Sequence, residues 1–203
     1  KAFSLLLQGR WREVLAFGQG ALHTDPTNEG VAGYLVQAAR FDLFIADPID
    51  LVPPQVRGTA AVAVGRVDAL RHRGLMPAWW EAARQALAAH PDDRHARQFA
   101  ADADLDEILR DENVQRGHLL SLEQRARVTA AAGVLRDEWD RARSSEGAVR
   151  PEDAAVCSNL VVAYLALDDL PAALEAARQG LAVAPQDVEL AKRAAMAAVE
   201  GND

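Results

Sequence analysis

Residues 167–187 read LDDLPAALEAARQGLAVAPQD, and residues 73–93 read RGLMPAWWEAARQALAAHPDD. Aligned without a gap, eleven of the twenty-one positions are identical, from Pro77/Pro171 through Glu81/Glu175 to Asp93/Asp187. Self-similarity of this kind marks an internal repeat, and the repeat decides the fold. Each copy opens on a tight turn, at Gly74 or at Asp168–Asp169. A proline then sits in the first helical turn, where a missing N–H costs nothing. Small residues recur at helical spacing (Ala83 and Ala86, Ala177 and Gly180), with Leu87 or Leu181 supplying bulk. Pro91 and Pro185 cannot continue the helix and close it. A third, weaker copy, GRWREVLAFGQGALHTDPTN, runs from Gly9 to Asn28 and closes at Pro26.

The segment before the last copy completes the unit. Pro151-Glu152-Asp153 opens a helix with acids at its positive end. Cys157, Leu160, Val161, Tyr164 and Leu167 then fall on one face. The unit is therefore two antiparallel helices, each with one apolar face that it cannot bury alone, so units must stack.

The stretch from Ala154 to Asp187 resembles a tetratricopeptide repeat. Asn159-Leu160, Tyr164, the turn at Asp168–Asp169, Ala173 and Pro185 fall where that family puts those residue types. The copy over 57–93 keeps Gly74, Ala86 and Pro91 but departs at Trp79, where the family prefers a small residue. The copy over 1–28 keeps Gly9, Trp11, Ala21 and Pro26, with its opening helix mostly cut away. The resemblance implies an all-α fold of stacked antiparallel helix pairs, wound as a right-handed superhelix. The expectation is a single helical-repeat domain over 1–203, with clear copies at 1–28, 57–93 and 151–187.

The intervals between the copies are less regular. Pro26 and Pro91 lie 65 residues apart, and Pro91 and Pro185 lie 94 apart, against ~34 for one repeat. Degenerate repeats should fill both, with irregular segments at 41–55 and 112–150. A helix is expected over 29–41. Pro48, Pro53 and Pro54 then forbid a normal second helix. One helical turn is expected there, with Asp47 as cap and Pro48 next, and Pro54 should open a helix running to Arg73. Phe44, Ile45, Leu51 and Val52 are apolar within this stretch, which suits a segment folded over one edge of the array and shaping its groove. A helix over 93–111 follows. Ser121 and Gln124 form a capping box ahead of a stripe of Val128, Ala131, Ala132, Leu135, Trp139 and Ala142, on a helix of about six turns. Residues 144–150 read as a linker, and 187–200 as a capping helix with Leu190 and Met196 inward.

Composition narrows the function classes. The 203 residues are 50% hydrophobic, and aromatics make up only 5%. Alanine dominates the apolar fraction, and runs of β-branched residues are scarce, which argues against a sheet. The net charge is −8 and no basic stripe is visible, so nucleic acid is not an expected partner. The longest apolar run, Leu160 to Leu167, is too short to span a membrane, and the first residues are too short for a secretory signal. Lysine occurs only at Lys1 and Lys192, in keeping with a GC-rich bacterial genome. A cytoplasmic protein is expected.

Site signals are few. Cys157, the only cysteine, sits on an apolar helical face and reads as a buried structural thiol. The five histidines have no metal spacing, and Asp102, Asp104 and Asp106 lack the glycine of a calcium loop. Glu81 and Glu175 recur at equivalent places, as surface partners for Arg84 and Arg178 would. Trp79 and Trp80 differ by about 100° around a helix. Trp79 is expected in the core, where Ala63 makes room for it. Neither catalytic residues nor a cofactor are expected.

By resemblance, the chain should be a protein-interaction scaffold that binds a partner peptide or domain on the concave face lined by first helices. The residues this places in the groove are Gln37, Arg40, Val64, Asp68, Arg71, Ser158 and Val162. One branch of the family clamps acidic tails with Lys, Arg and Asn. The equivalent places here hold Gly30, Gly33, Val64, Asp68, Ala155 and Asn159, so an acidic tail should not bind, and a partner should instead bring a cation to Asp68. The alternatives are an accessory region of a larger bacterial enzyme, such as a glycosyltransferase or sulfotransferase, and a self-associating, homo-oligomeric module.

Overall fold

A computed structural model of the chain describes residues 1–42, 44–117, 119–144 and 153–200. The expected linker after Ser144, the helix opening at Pro151-Glu152 and His118 lie outside them. Among the described residues the chain is helical, with no strand. It divides into two compact units, Lys1–Ala103 and Asp104–Asp203.

The first unit holds α1 (Ala2–Leu7), α2 (Trp11–Thr24), α3 (Glu29–Ala38), α4 (Ala60–His72), α5 (Met76–Ala89) and the first part of α6 (Arg94–Leu109). Local chemistry sets the boundaries. The Asn28 side chain caps α3 by accepting from the Val31 N–H at 3.0 Å. Gly74 turns between α4 and α5 at φ +70°, a conformation only glycine adopts without cost. Trp79 is buried with Val67, Leu70, Ala82, Ala83 and Ala86, and Ala63 packs against the same cluster, as the sequence predicts. Trp80 is only partly buried.

Between α3 and α4 there is no second helix. Single 3-10 turns at Ala39–Phe41, Pro48–Leu51 and Pro54–Val56 take its place, and the Pro48–Leu51 turn touches both helices. The expected helical turn at Pro48 is there, capped by Asp47. The expected helix opening at Pro54 is not: Pro54 starts only a 3-10 turn, and α4 begins at Ala60, after Thr59. The turn closes on Gly58, which has little to hold it helical. With no helix wedged between them, α3 and α4 pack directly. A Cβ on Gly65 would lie 2.7 Å from the Gly33 carbonyl O, and one on Gly33 would lie 2.9 Å from that of Ala61. Residue 33 meets 61 and 65, and Arg40 meets Asp68, so the two helices run parallel.

The second unit holds the end of α6, then α7 (Glu112–Gln115), α8 (Leu122–Ser144), α9 (Ala154–Ala166), α10 (Leu170–Val183) and α11 (Val188–Glu200). The capping box is formed as expected: Gln124 N–H donates to Ser121 Oγ at 3.1 Å, and Ser121 N–H donates to Gln124 Oε1 at 2.9 Å. The stripe of α8 is buried from Val128 to Trp139. Cys157, early in α9, meets Gly180, late in α10, so these helices are antiparallel. Asp168 turns between them at φ +62°, doing in this copy what Gly74 does in the other. Leu190 of α11 is buried as expected, but Met196 is not: it is 54% exposed. Leu190 and Ala197, two turns apart, define the inward face, and Met196 lies one residue off it.

Candidate functional site

In the first unit, four of the residues that the resemblance assigns to a groove, Gln37, Arg40, Asp68 and Arg71, take part in polar contacts between helices. Arg40 Nη1 lies 3.4 Å from Asp68 Oδ2 and 3.4 Å from His72 Nε2. His72 Nδ1 lies 2.9 Å from the Asp68 carbonyl O and 3.2 Å from Asp68 Oδ1. Asp68 is only 8% exposed. Burial works against its charge, but hydrogen bonds from His72 and Gln37 and the nearby Arg40 outweigh burial, and hold the carboxyl below its ordinary range. Further along α4, Arg71 Nη1 donates to the buried Asp102 at 3.0 Å, with its guanidinium 5.5 Å over the Trp79 ring. Val64 is half-buried against that cluster.

Asp68 is thus faced by a cation of the chain itself, Arg40, with the His72 ring beside it. In the second unit, Ser158 is buried and its hydroxyl accepts from Arg193 Nη1 at 2.7 Å, while Val162 is half-buried. Arg193 also lies 3.4 Å from Asn159 Oδ1 and 3.3 Å from Glu189. Arg193 thus ties α11 to α9.

A different surface of the first unit is open and apolar. A cleft of about 790 Å³ lies between α2 and the proline segment, lined by Trp11, Arg12, Leu15, Ala16 and Gln19 on one wall and Phe41, Asp42, Phe44, Ile45 and Leu51 on the other. A second hollow of about 500 Å³ shares Gln19 and Leu51 with it and continues to Leu22, His23 and Pro26, facing Asp50, Val52 and Pro53. Together they form one groove along α2. The Phe41 ring stacks on Trp11 at 6.0 Å, with the Arg40 guanidinium 4.6 Å over Phe41 and that of Arg12 5.1 Å over Trp11. Phe44 is fully exposed.

The proline wall is pinned in place. Asp47 accepts from the Ile49 N–H at 3.0 Å and takes a two-pronged contact from Arg66, at 3.0 and 2.7 Å. Burial raises the Asp47 carboxyl, but Arg66, the Ile49 N–H and Arg73 win and lower it. Arg57 Nε donates to the Val52 carbonyl at 3.0 Å. Pro48, Val52 and Val56 are buried beneath. The apolar residues of this wall were visible in the sequence. The α2 wall was not, because Trp11 and Leu15 gain their role only from what packs opposite them.

Other chemistry is sparse. Cys157 is buried, its thiol donates to the Ala176 carbonyl at 2.9 Å, and burial pushes it up to about 11. Among the described residues, no three His, Cys, Asp or Glu side chains gather where they could hold a metal ion, and no helix is long and apolar enough to cross a membrane. Glu81 pairs with Arg84 at 3.6 Å and Glu175 with Arg178 at 2.7 Å, as their repetition suggests. No family model matches the chain, and no curated protein or solved structure matches it.

Proposed function

We propose that the chain is a protein-interaction scaffold of the tetratricopeptide kind, which works by holding an apolar segment of a partner protein and not by catalysis. The internal repeat and the packing of neighbouring helices support the family reading. The observation that carries the binding reading is the groove along α2. Trp11, Phe41 and Phe44 stand at its surface, and aromatic anchors in a fixed frame are what protein interfaces use for affinity. The frame is fixed by Asp47–Arg66 and by the buried Pro48, Val52 and Val56, so binding needs little ordering of the scaffold. The first-helix residues Gln37, Arg40, Asp68 and Arg71 serve in this reading as the framework behind the groove rather than as its lining.

Panning a displayed library of fully randomised peptides against the chain tests this. Enriched sequences should share apolar anchors, and Phe44→Ala should weaken them roughly tenfold or more with an unchanged circular dichroism spectrum. Absence of any enrichment that depends on Phe44 would end the reading.

A further inference from the structure

We propose that the groove takes an amphipathic α-helix of the partner, which docks beside the proline segment where the array lacks a helix of its own. This rests on the scaffold reading above and names the form of the occupant. In each unit a second helix packs beside the first: α2 lies against α1 and α3, and α10 against α9 and α11. Between α3 and α4 that position holds only 3-10 turns. A single-turn segment covers less than a helix does, and what it leaves uncovered is a stripe of α2. Trp11, Leu15, Gln19 and His23 follow one another at four-residue intervals, so they form one ridge that slants along the helix. From Trp11 to His23 that ridge covers about 18 Å of the helix, the length of roughly three helical turns. A groove walled by one helix and an apolar ledge suits an apolar helical stripe with anchors at i, i+4, i+7 and i+11.

Charge fixes the orientation of the occupant's flanks. The proline wall carries the carboxylates of Asp42 and Asp50, one in each hollow, and the α2 wall carries the guanidinium of Arg12. Asp50 is 69% exposed, with the Arg57 guanidinium 4.0 Å away. A partner helix with basic residues toward the proline wall and acidic residues toward α2 matches both walls.

Two further displayed libraries decide the question. Both hold peptides of about 14 residues with leucine at the four anchor positions and a basic and an acidic flank. The second differs only by a central proline, which forbids the helix. The helix-competent library should enrich on the intact chain, and a winning peptide should gain helical circular dichroism on mixing. Its affinity should fall about tenfold with Phe44→Ala, which removes an anchor contact, and fall again with Asp50→Lys, both sites being exposed enough to leave the fold intact. Equal enrichment of the proline library, or enrichment of fully randomised peptides alone, would overturn the helix while the scaffold reading stands. Helical peptides indifferent to both substitutions would overturn the site. Failure of all three libraries would sink both inferences together.

Discussion

At the scale of single residues, the two clear repeat copies show how a sequence keeps a fold while trading volume. Aligned, Ala63 corresponds to Cys157 and Ala86 to Gly180. Ala63 and Ala86 line one small hollow in the first copy. In the second, a Cβ on Gly180 would lie 2.9 Å from Cys157 Sγ and 2.6 Å from Leu190 Cδ2. The larger residue on one helix is thus matched by the smaller on the other. Gly180→Ala should cost about 1–3 kcal/mol through overpacking, read as a lowered urea midpoint, and adding Cys157→Ala should recover part of it. Strict additivity of the two changes would show that they do not share a contact. His72 offers a second test. The hydrogen bond it donates to Asp68 raises it above its ordinary value, against burial and Arg40. Its stabilising effect is therefore complete below about pH 6.5 and is lost as pH rises through the elevated folded value. Relative to His72→Gln, the wild-type chain should lose melting temperature as pH rises above about 6.5. Parallel melting curves for the two proteins would remove His72 from the contacts around Asp68.

Among the elements, local signals were the legible ones. The Ser121–Gln124 box, the Asp47 cap and the stripe of α8 depend on residues within a turn or two of one another, and each stands as the pattern predicts. Helix α4 starts six residues after Pro54, because proline at a first helical position fits a 3-10 turn as well as a helix. Met196 faces outward and Ala197 inward, since one residue of phase, about 100°, separates the two positions. The groove was half legible: the prolines announced an irregular segment, but Arg66 pinning Asp47 from nineteen residues away leaves no local trace. That contact gives the third prediction. Asp47→Ala removes both the cap and the partner of Arg66, and should cost about 1–2 kcal/mol, with faster proteolytic cutting between residues 42 and 57. An unchanged digestion pattern would mean that buried Pro48, Val52 and Val56 suffice to hold the segment.

For the molecule as a whole, the boundary between the two compact units falls inside α6. Ala96 and Ala103 of that helix are buried with Trp79, so the first unit needs the helix intact. A fragment of residues 1–110 should unfold in one cooperative thermal transition followed by circular dichroism, whereas residues 1–93 should show a broad, weak one. Similar curves for both would mean that α6 adds nothing to the core. The repeat copies made this helical, pairwise construction readable from the start. What they could not convey was that Arg40 would meet Asp68 and Arg71 would meet Asp102, since that depends on which side chains the packing brings opposite. The lone thiol, finally, is a built-in clock. Cys157 is shielded from solvent, and at pH 8 only about one thiol in a thousand is ionised at a value near 11. A disulfide reagent added to the native protein therefore has nothing to attack until α9 and α10 part. The speed at which colour develops would count those openings, molecule by molecule, without any label being introduced.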